Sequence, residues 1–315
     1  MPTLVGAIYI DNAKLNVLNS KFNDNEASNG GAISINGKSN ANINNSIFTN
    51  NSADGNGGAI NMEDGEISVD NSKFVSNFAK TRGAGIYNHM GKFTINGTDF
   101  DGNYLTTDTG VYYMGGGAIF NDLGSDSTIT RSKFNDNKAN KAGGAIYNVD
   151  GTNLIISDSI FNKNSAVYGS AIINDWGDNL TIKNTSFDSN NAAQSGAIYI
   201  GSAYSSPHPS VNVFVIDSNF TNNYAGSWGA ITIGNSKDYV NVVGSRFDSN
   251  SAFRGGAIMN WAGYLNVSGA SSFTNNFASY EGGAIDNTWG KSLIISNDTI
   301  FSNNKPNDIG TRGSV

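Results

Sequence analysis

The sequence predicts an all-β fold, a parallel β-helix of about eleven coils, and three observations carry that expectation. A Gly-Ala-Ile element recurs from end to end, a Phe-x-x-Asn element alternates with it, and β-branched and turn-forming residues fill the space between. The Ile of the first element falls at Ile8, Ile33, Ile60, Ile86, Ile119, Ile146, Ile172, Ile198, Ile231, Ile258 and Ile285. The Phe of the second runs from Phe22 through Phe134 to Phe301. Successive Ile are usually 25 to 27 residues apart, and two units extend to 33. Repeats of this length announce a solenoid or an array before any local propensity is weighed.

Each part of the unit has a local reason. In Ala32-Ile33-Ser34-Ile35 the alternation reads as a strand with Ile inward and the next residue outward. A polar turn leads to a second strand, Leu15-Asn16-Val17 in the first unit. A Ser or Thr stands two before every Phe, and Ser20-Lys21-Phe22 reads as a third strand. The Asn three after the Phe is expected to turn the chain, because Asn tolerates the left-handed conformation. A Gly-rich return then closes the unit. Helices are excluded by the density of Gly, Asn, Ser, Thr and β-branched residues. Three strands of three to five residues with three turns make one coil of a parallel β-helix. At about 4.8 Å per strand, eleven coils give a rod roughly 50 Å long.

Composition agrees once it is sorted by column. Of 315 residues, 38 are Gly, 49 Asn and 37 Ser, and only 45 are charged. Scattered, such a composition would suit a disordered chain. In register, the Ile and Phe columns supply a core, and Asn at Asn88, Asn121, Asn148 and Asn174 can pass hydrogen bonds along the stack. A net charge of −7 argues against nucleic acid as a partner. No apolar run reaches the length of a membrane span. The absence of Cys removes disulfides, thiolate metal sites and cysteine nucleophiles.

The paired G-G-A-I and F-x-x-N motifs resemble the repeat of chlamydial polymorphic outer-membrane proteins. The Asn-rich form, ending in Asn304-Lys305-Pro306-Asn307-Asp308-Ile309, is similar to adhesin-like surface proteins of methanogenic archaea. The resemblance covers residues 6 to about 310. It implies a right-handed, pectin-lyase-like β-helix and an extracellular, cell-surface or cell-wall location, in contact with other cells or polysaccharides. No catalytic residue carries over, because the matching positions are structural.

Two functions from different classes follow. The first is a surface adhesin-like or stalk module that binds a cell-surface glycan or protein without catalysis, or displays other domains. The residue after each Ile is expected to face outward, which puts Tyr87, Phe120, Tyr147, Ile173 and Tyr199 in an exposed stripe. Exposed aromatic rings suit sugars or a protein partner; aligned aromatics also stabilise a sheet without a ligand. Trp176, Trp261 and Trp289, in the turn after that strand, extend the stripe. The two longer units carry Tyr112, Tyr113 and Tyr204 in loops, and solenoid insertions often lie at a binding face. The second function is a polysaccharide lyase or hydrolase, which needs converging carboxylates. Asp24, Asp101, Asp136, Asp188 and Asp248 are dispersed over turns, and His89 and His208 stand apart. Asp54-Gly55-Asn56-Gly57-Gly58 is a loop of the kind that binds Ca²⁺, yet no ligand spacing repeats, so no cofactor is expected. Asn-x-Ser/Thr triplets, among them Asn44, Asn96 and Asn266, are frequent enough here to arise by chance. Residues 1–315 read as one β-helix domain of a longer secreted protein, since neither terminus shows a signal, anchor or cap.

Overall fold

The computed structural model describes residues 6–106, 114–151, 153–176, 179–201 and 210–311. Its strands stack in parallel, each beside its equivalent one coil further on. Sheet A holds twelve strands, eleven that begin at the Gly-Ala-Ile element, from Ile8–Asp11 to Ile285–Asp286, and a final short one, Ile309–Gly310. Sheet B holds eleven, from Lys14–Leu18 to Ser292–Ile295, and sheet C eleven, from Lys21–Asn23 to Ile300–Ser302. Register is strict: Ile119 pairs with Ile146, and Phe134 with Phe161. Coils one to eleven are counted by their sheet A strand.

The coil has a fourth side that three strands do not account for. Short ladders run from Glu26–Ala27 to Tyr104–Leu105 and from Ser165–Tyr168 to Phe277–Glu281. Their Ala column, including Ala27, Ala53, Ala79 and Ala192, points inward and is buried. The return to sheet A passes a tight left-handed bend. Gly143 there has φ 60°, and a Cβ would lie 2.4 Å from the Ile146 carbonyl oxygen, so only Gly fits.

Inside, identical side chains stack on themselves. Ten successive Phe pairs from Phe22 to Phe301 lie face to face with centroids 4.6–5.1 Å apart, a distance set by strand spacing. The expected amide ladder on sheet A is present: Asn88 donates to Asn121, Asn121 to Asn148 and Asn148 to Asn174, each at 2.6 Å.

The Asn three after each Phe does something other than turn the chain. The left-handed residue is one place earlier, as at Asn50, Asp136 and Asn222, with φ of 54°, 51° and 54°. That bend aims the following Asn into the interior, where it forms a second and longer ladder. Asn137 is representative. Its Nδ2 donates to Asn164 Oδ1 and to the Phe100 carbonyl, both at 3.0 Å. Its Oδ1 accepts from the backbone N–H and the side-chain amide of Asn103, at 3.1 and 3.0 Å. All four hydrogen-bonding capacities of the buried amide are used. The Ser/Thr column bridges backbones: Ser46 Oγ donates to the Asn44 carbonyl at 2.9 Å and accepts the Ser20 N–H at 3.1 Å.

Candidate functional site

The outer face of sheet A differs between its middle and its C-terminal coils. In coils four to eight the expected exposed stripe is buried. Tyr87, Phe120, Tyr147, Ile173 and Tyr199 form a second apolar cluster with Ala142 and Val149, against which Tyr168 packs. The fourth side of the coil causes this. Ala142 and Tyr168, from the return toward sheet A, pack against these outward side chains, with the Tyr168 ring 5.9 Å from that of Tyr199. Tyr147 rests on the backbone of Gly115, where a Cβ would lie 2.5 Å from its ring. The Arg82 guanidinium sits 5.3 Å from the Phe120 ring centre. The hydroxyls are also satisfied: Tyr147 Oη donates to Asp175 at 2.7 Å, and Tyr87 Oη to Asp122 at 3.4 Å. Burial, helped by Asp122 and Glu63, pushes the Tyr87 phenol up to about 12, which keeps it a donor. His89 pairs with the same Asp122 carboxylate through Nδ1 at 3.1 Å. These aromatics are therefore a packing layer rather than a free surface.

In coils nine to eleven the corresponding outward residues are Thr232, Met259 and Asp286, and other side chains cover them. Trp228, Trp261 and Trp289 reach over this stretch in a row, with centroids 5.4 and 4.3 Å apart. Trp261 and Trp289 remain 39% and 40% exposed. Arg254 lies between the centroids of Trp289 at 4.3 Å and Tyr280 at 4.8 Å. Its Nε donates to Asp286 at 2.5 Å, and its Nη2 to Glu281 and to Thr288 Oγ1, both at 2.9 Å. A planar guanidinium bonded to two carboxylates and close to two aromatic rings is a rigid strut. Beyond it Tyr280 stacks on Phe253 at 5.4 Å, and both rings are about half exposed. The result is an aromatic ledge with fixed geometry.

Round the corner, on sheet B, lies a groove of about 420 Å³. Tyr239 and Tyr264 stack at 4.4 Å on one wall, and Ile294 stands exposed opposite. Asn266 Nδ2 donates to Asn241 Oδ1 at 3.2 Å across its floor. Lys291 Nζ stands 5.4 Å from the Tyr264 ring centre.

Three segments of this chain, residues 45–63, 132–149 and 270–288, match the Chlamydia polymorphic membrane protein repeat. The chain carries polymorphic membrane protein repeats. Each matched segment runs from the stacked Phe, through the left-handed bend and the buried Asn, to the Gly-Ala-Ile strand. In residues 132–149 the matched segment contributes Asn137 to the interior ladder and Asn148 to the ladder on sheet A. No curated protein and no solved structure matches the chain.

Of the aromatic residues that the sequence offers for binding, Trp261 and Trp289 reach the ledge. Trp176 is half-buried in coil seven with φ 62°. Tyr112, Tyr113, Tyr204 and His208 lie outside the described residues. Trp228, Phe253, Arg254, Tyr280, Tyr239 and Tyr264 join the site without having stood out in the sequence. Signals exist for two of these features. Trp228 replaces the Gly expected three before Ile231, and Tyr239 and Tyr264 share one column three before Val242 and Val267. Among the described residues no group of three or more His, Asp or Glu is placed to hold a metal ion. Among the same residues no helix is long and apolar enough to cross a membrane.

Proposed function

We propose that this chain is a cell-surface adhesin-like rod that binds a glycan, without catalysis, through the aromatic ledge of coils nine to eleven. The observation that carries the reading is the row Trp261, Trp289, Tyr280 and Phe253, exposed and yet braced by a buried Arg254. Aromatic faces take the C–H faces of sugars, and rings held rigid before binding lose little freedom on contact. A non-enzymatic role is favoured because the two carboxylates beneath the ledge, Glu281 and Asp286, are both engaged by Arg254.

The test is a glycan array probed with the native protein and with a Trp261→Ala/Trp289→Ala/Tyr280→Ala variant. The expected outcome is loss of binding by a variant that remains folded, as read by circular dichroism at the assay temperature; retained binding would remove the ledge as the site. Incubation with acidic polysaccharides and Ca²⁺, read for reducing ends and unsaturated products, addresses catalysis. Turnover would replace the adhesin reading with a lyase or hydrolase.

A further inference from the structure

We infer that the sheet B groove of coils nine to eleven is a subsite for an anionic sugar residue, with Lys291 as the partner of its carboxylate or sulfate. The inference rests on the glycan-binding reading above and adds a ligand class to it. Charge is the first argument. The chain carries 26 acidic and 19 basic residues, and yet no carboxylate lines this groove. Among the described residues Lys291 makes no ion pair, although its backbone N–H is fixed to the Gly263 carbonyl at 2.9 Å. With its Nζ 5.4 Å from the ring of the wall residue Tyr264, this unneutralised ammonium beside the groove of an acidic molecule draws an anion toward it.

The walls supply the second argument. The Asn266–Asn241 bond uses one donor and one lone pair. It leaves the Asn241 amino group and the Asn266 carbonyl oxygen to meet sugar hydroxyls. The half-exposed Tyr239 and the exposed Ile294 offer apolar sides to the C–H face of a ring. A volume of about 420 Å³ lies in the range of small-ligand sites, about 300–1,000 Å³. The third argument is continuity. Lys291 lies two residues after Trp289, so one oligosaccharide can rest on the ledge and place a charged residue in the groove.

The experiment is calorimetric titration of the full chain, produced in bacteria so that the Asn266-Val267-Ser268 triplet stays unmodified. The probes are an oligogalacturonate, its methyl ester and a sulfated oligosaccharide of similar length. The charged forms should bind roughly two- to fivefold tighter than the ester, the range of an exposed ion pair. Lys291→Gln should abolish that preference, Lys291→Arg should keep it, and added salt should erode it. Which charged probe is preferred separates uronate from sulfate as the source. Equal affinity for ester and acid, or a preference that survives Lys291→Gln, would overturn this inference alone, provided the ledge variant still loses binding. Absence of binding to every probe, with binding on the glycan array retained, would likewise overturn this inference and leave the ledge reading standing.

Discussion

Asn137 shows how a polar side chain can serve a core. An amide with all four capacities bonded is nearly neutral in net terms, but removing it strands its partners in a dry interior. Asn137→Ala would take the acceptor from the Asn103 backbone N–H and from one of its side-chain N–H groups, and the Asn137 donor from the Phe100 carbonyl. The expected cost is roughly 2–4 kcal/mol. The exposed Asn16→Ala should stay within about 0.5 kcal/mol; equal midpoints in urea for the two variants would refute the ladder's role. Asp238 gives a second residue-scale expectation. Burial pushes its carboxyl up to about 7, although backbone hydrogen bonds at Val211 and Asn235 oppose the rise. Between about pH 4 and 7 the folded state then holds a proton that the unfolded state has released. The neutral acid's stability contribution is complete below about pH 4 and is lost as pH rises through about 7, with a ceiling of about 4 kcal/mol. Asp238→Asn should therefore gain on the native protein between pH 5 and pH 8, and parallel melting profiles would show that the carboxyl does not titrate this way.

At the scale of elements, the short fourth ladder matters more than its length suggests. By flanking sheet A it turns a row of outward aromatics into a second core. Tyr147→Ser would then act as a core truncation, with an expected cost of about 3–5 kcal/mol, and not as a surface change that spares stability. A thermal midpoint like that of the native protein would contradict this. The same element explains why the ledge lies where it does. Thr232, Met259 and Asp286 leave no aromatic ring on the sheet, so Trp and Arg side chains from the corners fold over it.

As a whole molecule the protein is a one-dimensional stack in which each coil touches its neighbours. Destabilisation should consequently stay local. Arg254→Met leaves Asp286 buried without its counter-ion, a change worth about 3–5 kcal/mol. Faster hydrogen exchange is expected in residues 251–295, with residues 119–175 unchanged. Equal acceleration in both segments would mean that the stack unfolds as one unit.

Much of this architecture is legible in the sequence, because a stacked fold writes each contact as a column. The Ile and Phe columns, the Asn88–Asn174 ladder and the parallel register follow from periodicity alone, since a residue's neighbour above is its own repeat. Less legible is any feature that depends on the coil's cross-section. Sequence period places Tyr87, Phe120, Tyr147 and Tyr199 outward, and outward they are; whether outward means solvent is decided by the fourth side. The interior Asn column likewise depends on which residue makes the left-handed bend, and Asn50 and Asn51 are indistinguishable until φ is known. The ledge gathers Phe253, Arg254, Tyr280 and Trp289 from different columns, and only lateral closure of the coil brings those columns together. Sequence thus determined the repeat, its strands and its axial stacking, which are local and periodic. Tertiary structure decided what is buried and what is offered, because burial depends on contacts around the coil that no spacing along the chain encodes.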